Sequence, residues 1–152
     1  MLQLNQNFRE FIGLLNDNGV EYLAVGGYSV AHHGFPRYTG DFDIWINPTL
    51  NNGEKLLLVL KKFGFESLNI SPEDFVKKDL VLQLGMEPLR IDILTSIDGV
   101  NLFEKAFANC DIAEYDELKI NFIGYNDLIT NKKSSGRLQD QRDIEELKKI
   151  KK

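Results

Sequence analysis

Three aspartates stand where this sequence can do chemistry. Asp41 and Asp43 lie in "DFDIWI" and Asp92 in "LRIDILT", and each is flanked by the apolar residues of a buried strand. Side chains alternate along a strand, so Asp41 and Asp43 share one face about 7 Å apart along the chain. Phe42, Ile44 and Ile46 take the other face and enter the core. Like charges brought to about 4 Å repel by about 4 kcal/mol at an effective dielectric of 20, and a divalent cation removes that cost. Carboxylate oxygens are hard ligands that suit Mg²⁺, with Mn²⁺ as the alternative. A lone Asp-x-Asp at a strand end is usually just solvated. Asp92, inside a second strand, changes the weighing: if the two strands are neighbours, all three aspartates converge as metal ligands and catalytic groups for in-line phosphoryl transfer.

Upstream, "AVGGYS" closes an apolar run with Gly26 and Gly27. Two glycines at a strand-to-helix turn let the backbone approach a ligand closely, and the helix start offers N–H groups to phosphates. Ser29 can add a hydroxyl. An isolated glycine pair is equally well a tight turn, so the specificity lies in its combination with the acids.

The cations are read on the same basis. Lys132 follows Leu128 by one helical turn, so its stem packs toward the core while its ammonium reaches a cleft, where a point charge suits a triphosphate. On this reading Lys132→Ala weakens nucleotide binding and leaves the fold intact, whereas Lys133 is solvated. Arg37, in the loop before the acids, is a phosphate contact or an exposed loop arginine. Asp140 and Asp143 either orient Lys132 and Arg137 or form surface ion pairs of small value. His32 and His33 are adjacent helical residues that diverge by about 100°, so a shared ion is not expected of them. Trp45 continues the aspartate face, and core packing is the favoured account of it. Cys110 is the only cysteine, which leaves no disulfide within the chain and no multi-thiolate site.

These residues need elements to position them. Leu4, Phe8, Phe11, Ile12 and Leu15 recur at helical spacing up to Gly19. "VEYLAV" is a strand, "YSVAHHG" a brief helix, "GFPRYTG" a loop and "DFDIWIN" a second strand. "NGEKLLLVLKKFGF" is a helix capped by Asn51 or Asn52 and ended by Gly64. "SPEDFVKKD" is a short helical turn with proline near its start. "LVLQLG" and "LRIDILTSI" form a hairpin across "MEP", "NLFEKAFANC" is a helix, and "DIAEYDELKINFIG" is a hairpin around "YDEL". Two helices close the chain, Tyr125 to Ser135 and Leu138 to about Lys149. Helices interleave with strands joined partly by hairpins, which gives the α+β class: one domain over residues 1–152, with a mixed sheet flanked by helices.

At 152 residues and 43% hydrophobic composition, the chain can bury one core. A net charge of −5 argues against broad attraction to a nucleic-acid backbone. No run is long enough to span a bilayer, and "MLQLNQNFRE" lacks the order of a signal peptide, so a cytoplasmic protein without a membrane partner is expected.

Val25-Gly26-Gly27, thirteen spacer residues, then Asp41-Phe42-Asp43-Ile44 resembles the signature of the DNA polymerase β-like nucleotidyltransferase superfamily, and Asp92 matches that family's third acid. "DLITNKKSSGRLQDQRDIEEL" resembles the closing helices of small bacterial members related to abortive-infection toxins of type IV toxin–antitoxin systems and to antibiotic-modifying enzymes. Lys132, Gly136-Arg137, Asp140 and Asp143 occupy the places of that pattern. The resemblance covers nearly the whole chain. It implies a mixed-sheet fold and metal-dependent transfer of a nucleoside monophosphate from an NTP to a hydroxyl acceptor, with release of pyrophosphate. Gly26, Gly27, Ser29, Arg37, Lys132 and Arg137 would bind the nucleotide. The acceptor stays open among an RNA 3′ end such as tRNA, a protein and a small molecule, and an antitoxin-like partner is compatible. The other reading is a catalytically silent nucleotide-binding or toxin–antitoxin partner module. Many relatives carry an additional helical or acceptor-binding domain, whereas this sequence stops soon after Asp143, a departure that bears on the acceptor more than on the fold or the nucleotide chemistry.

Overall fold

A computed structural model describes residues 4–37, 39–66, 68–86 and 89–151. Tyr38 of the expected loop, Glu87 and Pro88 of the expected "MEP" turn and the final Lys152 lie outside the described residues. In chain order the elements are α1 (Gln6–Asp17), β1 (Tyr22–Val25), α2 (Gly26–His32), β2 (Phe42–Ile46), α3 (Leu50–Lys62), a 3₁₀ turn (Pro72–Val76), β3 (Val81–Met86), β4 (Leu89–Leu94), α4 (Phe103–Ala108), β5 (Asp111–Tyr115), β6 (Leu118–Phe122), α5 (Tyr125–Ser135) and α6 (Leu138–Lys151).

The six strands form one sheet in the order β3-β4-β2-β1-β6-β5. Neighbours β1/β2, β3/β4 and β5/β6 are antiparallel, while β1/β6 and β2/β4 are parallel. The sheet is therefore mixed, as the alternation of hairpins and helical crossovers requires. Every residue of β1 is buried because both faces of the sheet's centre are covered. Tyr22 and Ala24 pack with Phe8, Phe11, Ile12 and Leu15 of α1 and with Leu56, Val59 and Leu60 of α3. Leu23 and Val25 face the other way, onto Phe103 of α4, Leu128 of α5 and Leu147 of α6. Burying each such side chain contributes about 1.5–3 kcal/mol, and the two layers together hold β1 and β2 rigidly at the middle.

Local signals account for most boundaries. Asn5 caps α1 by accepting from the N–H of Asn7 at 2.7 Å. Asp116 and Glu117 both adopt positive φ, 50° and 69°, the two-residue turn whose twist matches a hairpin. The expected cap of α3 needs correction. Thr49 is its N-cap, accepting from the N–H of Asn52. Asn52 is 2% exposed; its amide accepts from the N–H of Glu21 and donates to the carbonyls of Glu21 and Asn47. A buried asparagine with that many backbone partners is a brace between α3 and the start of β1, a role that local sequence does not distinguish from capping. Among the described residues no helix is long and apolar enough to cross a membrane.

Candidate active site

Strand register assembles the acids. In the parallel pair β2/β4, Asp43 lies opposite Asp92, and in the antiparallel pair β1/β2, Val25 lies opposite Asp43. The turn from β1 into α2 therefore abuts the carboxylates. Gly26 has φ +67°, and a Cβ there would stand 2.5 Å from Asp43 Oδ2. The position thus excludes a side chain twice over, by backbone conformation and by contact. A Cβ on Gly27 would run into the Thr39 side chain. The glycine pair is where it is because the acids and their loop press against it.

Asp41, one residue ahead of β2, joins the cluster through Arg90. The Arg90 guanidinium donates from Nε to Asp92 Oδ1 at 2.7 Å, and from Nη2 to Asp92 Oδ2 at 3.1 Å and Asp41 Oδ2 at 3.0 Å. The sequence reading missed Arg90. The signal was present in "LRID", since residues two apart on a strand share a face. Its charge holds two of the three carboxylates in place but leaves the third with a problem. Burial, followed by the Asp92 and Asp41 charges, pushes the Asp43 carboxyl up to about 7, with Arg90 offsetting part of the effect. Asp41 Oδ1 and Asp43 Oδ1 are buried without a hydrogen-bond donor. Orphaned buried carboxylate oxygens are costly, and a hard divalent cation is the ligand that relieves them. Asp41, Asp43 and Asp92 are the residues that could hold one.

A pH dependence follows for the metal-free protein. A carboxyl whose folded pKa is raised contributes stability that is complete below about pH 4 and is lost as pH rises through about 7. At about 1.4 kcal/mol per unit, the loss has an upper bound on the order of 4 kcal/mol. Burial lowers the His33 pKa and so acts in the opposite sense, which makes the comparison with a variant the useful reading. In EDTA, Asp43→Asn should gain stability relative to the parent as pH climbs from 5 to 8.5, and Mg²⁺ should restore the parent at the upper end. Urea unfolding at each pH checks this; a parent-minus-variant difference that is flat with pH would contradict the placement of Asp43.

The cations form a second, buried layer. Lys132 is 3% exposed, and Asp140 and Asp143 are fully buried, so the reading of the two aspartates as surface pairs is set aside. Lys132 Nζ bridges Asp140 Oδ1 at 3.0 Å and Asp143 Oδ2 at 3.1 Å. Asp143 also accepts from Nε and Nη2 of Arg37 at 2.9 and 3.0 Å and from Gln139. Asp140 accepts from Ser135 and from the Arg137 backbone N–H and guanidinium. Burial by itself would raise both carboxyls, but these donors outweigh it and hold them below the usual carboxylate range. Gly136, at φ +67°, makes the turn between α5 and α6 that folds this network onto itself. Lys132 is therefore tied between two acids as well as facing the cleft, instead of being a cation free to travel.

Ser29 is fully buried and donates to the Gly26 carbonyl at 2.6 Å, which places its hydroxyl against the first turn of α2. Trp45 is 2% exposed, packed edge-on against Phe103 with Nε1 donating to the Thr95 carbonyl, which is the core role favoured for it.

Two adjoining hollows meet at Gly26, Asp43, Lys132 and Arg137. One, of about 350 Å³, adds Gly27, Arg37, Thr39 and Asp41; the other, of about 370 Å³, adds Ser96, Asp98 and Asn131. A larger hollow, about 540 Å³ beside Trp45 and Phe103, contains none of the three acids. Chemistry, not volume, locates the site.

Comparisons with known proteins bear on the fold and the family. A search of curated proteins finds no match. TM1012 of Thermotoga maritima, a proposed nucleotidyltransferase, superposes with a TM-score of 0.60 at 16% identity, over 94% of this chain and 89% of its own. The lincomycin-bound lincosamide antibiotic adenylyltransferase LnuA superposes with a TM-score of 0.60 at 19% identity, over 97% and 98%. At those identities the likeness establishes the fold. The family model described as nucleotidyl transferase of unknown function matches residues 4–152, and this chain, with its glycine turn beside three aspartates, belongs to that family of nucleotidyltransferases.

Proposed function

We propose that residues 1–152 form one cytoplasmic, metal-dependent nucleotidyltransferase unit that moves a nucleoside monophosphate from an NTP to a hydroxyl acceptor. The observation that carries the reading is the cluster of Asp41, Asp43 and Asp92 with two buried oxygens left without donors beside a glycine turn. Asp41, Asp43 and Asp92 would hold Mg²⁺ or Mn²⁺, which when bound offsets charge on the phosphates and on the attacking oxygen. Gly26 and Gly27 admit the triphosphate close to the backbone. Arg37 and Arg137, which line the same hollow as Asp41 and Asp43, present positive charge to it, and Lys132 fixes the floor. The acceptor oxygen bonds to the α-phosphorus, the bond from that phosphorus to the bridging oxygen breaks, pyrophosphate leaves, and the acceptor's proton passes to Asp92. Arg90 keeps the Asp92 carboxylate aimed at that position.

The test is incubation with Mg²⁺ and each labelled NTP against three acceptor pools: tRNA, extracted protein and small hydroxylated antibiotics. Pyrophosphate release with one pool, abolished by Asp43→Asn, is the expected result. Tight NTP binding with no release from any pool would favour the silent regulatory or toxin–antitoxin partner module.

A further inference from the structure

We propose that His32, His33 and Asp111 form a second metal site, for a divalent transition-metal ion of the Zn²⁺ class, separate from the carboxylates of the cleft. The inference does not depend on the transferase reading. His33 is the C-cap of α2, directly after the last helical residue His32, where adjacent helical side chains would diverge by about 100°. The two imidazole rings instead lie 5.0 Å apart. One ligand atom from each histidine and one from Asp111 all fall within 4.8 Å of one another, although Asp111 is 79 positions from His32.

The outer contacts are those of metal-binding imidazoles, whose remaining nitrogen is held by a second partner that sets the tautomer. His33 Nε2 donates to the Ile123 carbonyl at 2.7 Å, so its proton is on Nε2 and Nδ1 keeps a lone pair. Burial, the main cause, lowers its pKa and favours the neutral form that binds metals. His32 is stacked on Phe122 with centroids 4.0 Å apart, with Nδ1 at 2.6 Å from the Tyr115 hydroxyl and Nε2 at 2.5 Å from Asp111 Oδ2. When the ion takes the Nε2 lone pair, the ring proton sits on Nδ1 and is donated to the Tyr115 oxygen.

Two imidazoles and one carboxylate suit zinc or its neighbours and not Mg²⁺, and three protein ligands leave one position open. Bonds of about 2.0–2.1 Å put tetrahedral ligand atoms about 3.4 Å apart. The separations therefore need to close by at most about 1.5 Å, and the Asp111 side chain, 54% exposed on edge strand β5, is placed to move that far. The bound ion would pin the end of α2 to the β5–β6 hairpin.

The test is titration of the full chain with Co²⁺, then Zn²⁺, in millimolar Mg²⁺, followed by visible absorption and thermal unfolding. One equivalent of Co²⁺ should give ligand-field bands that Zn²⁺ abolishes, and Zn²⁺ should raise the Tm. Asp111→Asn, at an exposed position, should remove the bands while circular dichroism stays native. Tyr115→Phe should weaken binding about ten- to a hundredfold. Asp43→Asn should leave it unchanged. Absence of bands and of a Tm shift in the parent overturns the proposal. So does binding that survives Asp111→Asn and is lost in Asp43→Asn, since the ion would then sit in the cleft. Neither outcome bears on pyrophosphate release.

Discussion

Asp92→Asn should bind Mg-NTP with close to the parent's affinity and transfer nucleotide more slowly by roughly two to four orders of magnitude, the usual weight of a positioned general base. The reason is a division of labour among the acids. Asp41 and Asp43 sit on one chain segment beside the glycine turn, where the triphosphate and its cation would enter. Asp92 comes from β4, on the side of β2 away from β1, and on the proposed function it would act on the acceptor side. The substitution keeps size and Arg90's neighbourhood but removes the charge that favours the attacking oxygen, an interaction made mainly in the transition state. Mg-NTP affinity by calorimetry and pyrophosphate release should be measured on one preparation. Undiminished turnover would remove Asp92 from the mechanism. An equal loss of binding and turnover would make holding the nucleotide-bound metal, and not proton transfer, the main part played by Asp92.

Lys132→Ala should destabilise the protein by about 3–5 kcal/mol, the cost of breaking a buried ion pair from one side. It would leave Asp140 and Asp143 buried, with Arg37, Arg137, Ser135 and Gln139 as their remaining donors. At about 2–4 °C per kcal/mol for a chain of this size, the Tm should fall by roughly 10 °C. Lys133→Ala, at an exposed position next door, should stay within about 0.5 kcal/mol. Thermal and urea unfolding of the pair decide the matter, and equal stability of the two variants would mean that the buried network contributes nothing. The sequence alone made Lys132 a nucleotide-facing cation whose loss the fold survives. Its burial makes it a structural charge whose loss also slackens the turn between α5 and α6, so any nucleotide affinity of this variant has to be measured below its lowered Tm.

The local code was legible for a physical reason. Helix and strand periods, caps and turns are set by neighbours a few positions away, so Phe8, Phe11, Ile12 and Leu15 announced the buried face of α1, Gly26 announced a backbone that no side chain tolerates, and the "YDEL" hairpin closed as expected. The types of the three acids and the alternation that exposes Asp41 and Asp43 on one face were likewise written in short segments. What joined them was not. Only the parallel register of β2 and β4 put Asp43 opposite Asp92, because strand pairing is chosen by how the whole sheet buries its two faces. Only the packing of α6 against the loop before β2 brought Asp143 to Arg37, 106 positions away, and turned a helix surface charge into a buried one. The same held for His32 and Asp111, and for Arg90 reaching Asp41 across 49 positions. Charge, burial and partner are properties of a three-dimensional neighbourhood, and a carboxylate's chemistry depends on that neighbourhood more than on the residues beside it in the chain.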